Sequence, residues 1–166
     1  MATTSPSGAR SARMPVAFFL MSAALVAVPA SVEAASPFDA LKGSWRGGGR
    51  AVFEGGQTER LRCSARYSGS GNHLNLAIRC ASPSTSTNLT ASLNHNGGRV
   101  SGSWNESSFG VGGGASGSAT ARSMRVRFTG GVAGTLAISI SKASHSVSVS
   151  TSGTGLRGVS MSFSRR

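Results

Sequence analysis

From Leu61 to Cys80 apolar and polar residues alternate with a period of two. Leu61, Cys63, Ala65 and Tyr67 alternate with Arg62, Ser64, Arg66 and Ser68, and Leu74, Leu76, Ile78 and Cys80 alternate with Asn75, Ala77 and Arg79. A period of two marks strands with one buried and one wet face. Gly71-Asn72 between the two runs suits a two-residue hairpin turn, where positive φ favours Gly and Asn. That turn sets Cys63 opposite Cys80 in a non-hydrogen-bonded pair, the pair type with the closer side chains, so a disulfide forms with little backbone strain. Closing such a loop contributes about 3 kcal/mol on the chain-entropy model. A longer turn through Ser70 would instead set the cysteines diagonally.

The same alternation runs through the rest of the chain. Trp45, Gly47, Gly49, Ala51 and Phe53 share one face of a first strand over 43–53. Later inward sets are Leu89, Ala91 and Leu93; Val100, Gly102 and Trp104; Met124, Val126 and Phe128; Leu136, Ile138 and Ile140; Val147 and Val149; and Val159, Met161 and Phe163. Turns are expected at Gly55-Gly56, Asn96-Gly97-Gly98, Gly130-Gly131 and Gly153-Thr154-Gly155. Ser107 to Gly114 reads as the loosest stretch, with Gly112-Gly113-Gly114 as flexible loop and Ala115 to Ala121 as a weak strand. This gives about eight to ten strands at spacings of about 8–12 residues, an all-β antiparallel meander. Closing the sheet removes its exposed edges, so a single up-and-down β-barrel is preferred to a β-sandwich.

The segment before the first strand has a different character. Arg10 and Arg13 precede an apolar run from Met14 to Val28, and Val32-Glu33-Ala34 fits a cleavage site. The pattern is that of a secretory signal peptide over 1–34. Residues 35–42 follow as a lead-in that could form one helical turn and plug an end of the domain, and 43–166 form the barrel. An exported protein, periplasmic or secreted, lies where disulfides persist. After cleavage no apolar run approaches membrane-spanning length, and the outward Ser, Asn and Arg positions leave no lipid-facing band.

Charge narrows the partners. The 166-residue chain carries 17 Lys and Arg against 5 Asp and Glu, a formal net charge of +12. Such a balance attracts polyanions: anionic lipid, lipopolysaccharide or acidic glycan. Arg60, Arg62, Arg66 and Arg79 fall on the outward face of the disulfide hairpin, and Arg125 and Arg127 on that of a later strand, giving a candidate anion-binding face. Like charges this close repel unless an anion neutralises them. The aromatics are nearly all inward, so base stacking on single-stranded nucleic acid is not expected.

Gly43-Ser44-Trp45, a G-x-W opening the first strand after a short lead-in, resembles the calycin superfamily of lipocalins and avidins. The pattern is also similar to a bacterial metalloprotease-inhibitor family built on a small barrel with one disulfide. In the calycins the Trp packs at the closed barrel end beneath a basic residue of the last strand. The resemblance therefore implies that Trp45 packs with Arg165, which shares the face of Phe163. Gly102-Ser103-Trp104 repeats the triplet, and no binding residues carry over.

Few groups could perform chemistry. His73, His95 and His145 fall near turns on separate hairpins, without Cys, Asp or Glu at zinc-ligand spacing, so no metal or cofactor is expected. No nucleophile elbow or phosphate loop is present. Glu59 and Glu106 have inward parity and would pair with Arg157 or Arg165, or lie at strand ends in water. The sequence thus reads as a non-enzymatic exported envelope protein. Its barrel would bind a small apolar ligand in a cavity lined by Leu76, Trp104, Ile138 and Met161, or an anionic envelope component on its outer face. The alternative is a filled barrel acting as a protein-interaction module, such as an inhibitor of a secreted hydrolase.

Overall fold

The computed structural model describes Met1 and residues 36–166. Apart from Met1, the segment 1–34 that the sequence reads as a signal peptide lies outside the described residues. Ten strands follow in order: β1 (Gly43–Phe53), β2 (Thr58–Ser68), β3 (His73–Ala81), β4 (Ser86–Asn96), β5 (Arg99–Glu106), β6 (Val111–Thr120), β7 (Ser123–Phe128), β8 (Ala133–Ile140), β9 (Ser144–Ser152) and β10 (Leu156–Arg165). Each pairs antiparallel with its sequence neighbour, and β1 also pairs with β10, so the sheet closes into an up-and-down barrel rather than a sandwich.

The hairpin register is the one the alternation requires. Cys63 faces Cys80 and Ser64 faces Arg79. The turn closes by His73 N–H donating to the Ser70 carbonyl at 3.0 Å, and Gly71 takes φ 52°, a left-handed conformation that costs glycine little. The cysteines are bonded, with Cα atoms 4.1 Å apart.

The lead-in makes a single turn, in which the Leu41 and Lys42 N–H groups donate to the Phe38 carbonyl. Phe38 and Leu41 are fully buried. Burying two such side chains contributes about 1.5–3 kcal/mol each, and they seal the barrel end where β1 begins. Trp45 is beside them, its Nε1–H donating to the Leu41 carbonyl at 2.7 Å. The Arg165 guanidinium lies 4.6 Å from the Trp45 ring centroid and donates to the carbonyls of Lys42 and Ala40, both at 3.1 Å. One cation thus covers the indole and ties the last strand to the plug.

The loop expected at Gly112-Gly113-Gly114 is absent: these residues belong to β6, which starts at Val111. The reason is steric. A Cβ on Gly113 would stand 1.8 Å from the Thr129 carbonyl oxygen, so only glycine allows that approach between backbones. Gly113 is also the partner of Trp104 on β5, whose indole Nε1–H donates to the same Thr129 carbonyl.

Candidate ligand cavity

The inward side chains fill the barrel unevenly. At the plugged end Trp45, Leu74, Val100, Met124 and Phe163 are almost completely inaccessible. Toward the other end the inward residues Leu89, Phe128, Leu136, Val149 and Leu156 are only half-buried. Ten strands make a wide barrel, and these side chains do not meet across it. They leave a cavity of about 260 Å³ whose lining includes Leu76, Ile78, Trp104, Val126, Leu136, Ile138 and Val147, with Phe109, Val132 and Leu156 toward the open end. The surface it offers is apolar.

Of the four residues expected to line it, Leu76, Trp104 and Ile138 do so. Met161 does not: its Sδ packs against the disulfide, 3.5 Å from Cys63 Sγ and 3.7 Å from Cys80 Sγ. Its inward parity is real, but β10 pairs with β1 opposite Gly49, which carries no side chain to stand between Met161 and β2. Trp104 is fixed in the wall by its Nε1–H donating to the Thr129 carbonyl at 3.1 Å and by an edge contact with Phe128 at 5.7 Å.

The mouth is organised by Glu106, which is 7% exposed. Its Oε1 accepts from the N–H groups of Asn88 at 2.7 Å and Ser108 at 3.0 Å, and its Oε2 accepts from the N–H of Phe109 at 2.7 Å. Burial disfavours the charge, but these backbone donors together outweigh it and hold the carboxyl below its usual range. Among the described residues no arginine pairs with it, so backbone hydrogen bonds stand where the ion pair was expected. The caged turn presents Phe109, 61% exposed, at the cavity rim. Glu59 lies at the same end, accepting from the Ser84 hydroxyl at 2.7 Å. Hydrogen bonds from the Ser82 and Ser84 side chains lower its pKa.

At the opposite end the structure holds a group that the reading by turns missed. His145, 2% exposed, stacks on Phe163 at 4.8 Å, meets the edge of Trp45 at 4.6 Å and shares a hydrogen bond of 3.1 Å between its Nε2 and the Tyr67 hydroxyl. Its Nδ1 is, among the described residues, the buried side-chain polar atom without a partner. Burial pushes its pKa down to about 4 and raises that of Tyr67. The signal was present in the sequence, since His145 shares the inward parity of Val147 and Val149. His95 accepts from the Gly98 N–H at 3.1 Å and packs edge-on beneath Phe38. His73 bonds Asn94 and Asn75. The three histidines serve packing and turns, and the described residues contain no group of three potential metal ligands.

The outward arginines do not form one face. Arg60, Arg62 and Arg66 on β2 and Arg79 on β3 are neighbours, whereas Arg125 and Arg127 are on β7, across the ring. Strand count from the sequence could not settle this, because it depends on where the ring closes.

No family model matches the chain, and no curated protein matches it in sequence. Solved structures do resemble it. The crystal structure of Rv2717c from M. tuberculosis is 16% identical with a TM-score of 0.61, covering 77% of this chain and 94% of that one. The S-type phycobiliprotein lyase CPES from Guillardia theta is 13% identical with a TM-score of 0.52, covering 78% of this chain and 89% of that one. At these identities the likeness concerns the fold alone, a small closed antiparallel β-barrel.

Proposed function

We propose that this protein is a non-enzymatic, exported binding protein whose barrel takes a small apolar molecule. The observation that carries the reading is the cavity itself, plugged at one end, rimmed by Phe109 at the other and offering no polar surface between. Concave, apolar, largely pre-formed sites are what small ligands occupy. The ionisable groups that line the cavity are already committed: Glu106 to backbone donors and Tyr67, through its hydroxyl, to His145. Neither is placed to exchange protons with a guest, which favours binding over catalysis. Export rests on the leader over 1–34. The barrel of the phycobiliprotein lyase is compatible with ligand handling on this fold.

Thermal-shift assays with matched compounds test the reading. A ligand that binds only the folded state raises Tm by mass action. Neutral aromatic or aliphatic molecules should raise it, and their carboxylated or aminated analogues should not. Equal shifts for both, or shifts from the charged analogues alone, would overturn it.

A further inference from the structure

We propose that the outer face of β1–β3 is a binding surface for an acidic polysaccharide. It stands independently of the cavity. The register assembles it. On β2, Arg60, Arg62 and Arg66 point outward. Arg50 of β1 is the direct partner of Arg60, and Arg46 and Arg79 flank Ser64 from either side in one cross-strand row. All are exposed. Between them the outward positions are small, Gly48, Ser64, Ala77 and Ala81, so the guanidinium groups rise from a low floor with nothing to shield one from another.

Among the described residues none of these arginines forms a salt bridge; the pair present is Lys42 with Asp39. Placing like charges directly opposite costs stability, and a polyanion removes that cost. Along β2 the charges extend over about 20 Å at the usual strand rise, which suits a polymer engaging several groups at once rather than a single small anion. The planar Arg fork matches carboxylate and sulfate in two parallel hydrogen bonds.

The neighbouring strands decide the class of polyanion. Continuing around the ring, the outward positions of β10 and β9 pair serine with serine: Ser160 with Ser148, Ser162 with Ser146, Ser164 with Ser144. Such hydroxyls both donate and accept, and so complement the hydroxyls of a sugar chain, whereas a nucleic-acid phosphate backbone offers acceptors. The large hydrophobics exposed among the described residues are Met1 and Phe109. This face therefore has no aromatic for base stacking and no apolar anchor for a membrane interface.

The test is isothermal titration of the intact protein with heparin and with polygalacturonate, against duplex DNA and phosphatidylglycerol vesicles, over a salt series. Saturable binding to the polysaccharides is expected, weakening as salt rises. Substituting Arg46→Ser, Arg60→Ser, Arg62→Ser and Arg79→Ser together should weaken it at least about tenfold and flatten the salt dependence. Arg125→Ser with Arg127→Ser, across the ring, should change it less than about twofold. Unchanged circular dichroism and unchanged binding of a neutral dye in the cavity report that each variant is folded. Equal losses in the two sets would overturn the location. Tighter binding to DNA or vesicles than to either polysaccharide would overturn the class, and no polysaccharide binding at low salt would overturn both.

Discussion

Tyr67 and His145 share a hydrogen bond of 3.1 Å inside the sealed end of the barrel, linking strands that are far apart in the chain. The contact places a titratable ring where water does not reach, and burial brings its pKa down to about 4. The unfolded chain titrates near the ordinary 6.5. Between those values the unfolded state takes up a proton that the folded state refuses. Stability is therefore greatest above pH 6.5 and falls as pH drops toward 4, by about 3 kcal/mol in all. Urea denaturation at several pH values checks this. His145→Phe should flatten the profile above pH 4.5, whatever its effect on stability at neutral pH.

Glu106 adds a second acid-sensitive contribution below that window. Its pKa is lowered in the folded state, so the stability it contributes is present above the ordinary carboxylate range and is lost as pH falls through its folded value. Glu106→Ala removes the acceptor for three backbone N–H groups and should cost about 2 kcal/mol. It should also speed release of a cavity dye, because Phe109 loses its anchor. Stopped-flow dissociation reads the second effect, and an unchanged off-rate would separate Glu106 from the mouth.

The disulfide closes a separation of 17 residues between adjacent strands. Cys63→Ser with Cys80→Ser should cost about 3 kcal/mol and disturb Met161, which packs on both sulfurs. Reducing agent should lower the Tm of the natural protein and leave that of the double variant unchanged.

Arg165 couples the plug to β10 through two carbonyls and the Trp45 ring. Arg165→Ala should cost about 1–2 kcal/mol, with faster hydrogen exchange over 36–42. Arg165→Lys should recover only part of this, since an ammonium lacks the planar group whose two nitrogens reach the carbonyls of Lys42 and Ala40 separately while covering the indole.

Period-two alternation and one turn sufficed to place Cys63 against Cys80 and Ser64 against Arg79, because a register error would turn every apolar side chain outward. Parity also put Arg165 on the face of Phe163, while its place over Trp45 at the barrel end followed from the calycin resemblance. It could not say that Met161 would meet the sulfurs, nor that Gly113 lies in a strand, because both depend on how closely neighbouring backbones approach. The division of the arginines depends on ring closure between β1 and β10, a contact of the chain's most distant strands. Hollowness was out of reach for a related reason. It is set by the barrel's radius against the summed volume of inward side chains, and the local pattern reports neither.

A titration with the neutral fluorophore N-phenyl-1-naphthylamine, exciting the dye directly and following the rise of its emission as it leaves water, tests the cavity most directly. The structure predicts saturable binding at one dye per protein, abolished in Leu136→Trp, where the added indole fills the space, and preserved in the arginine variants. Non-saturating uptake, or equal binding by the filled variant, would contradict it.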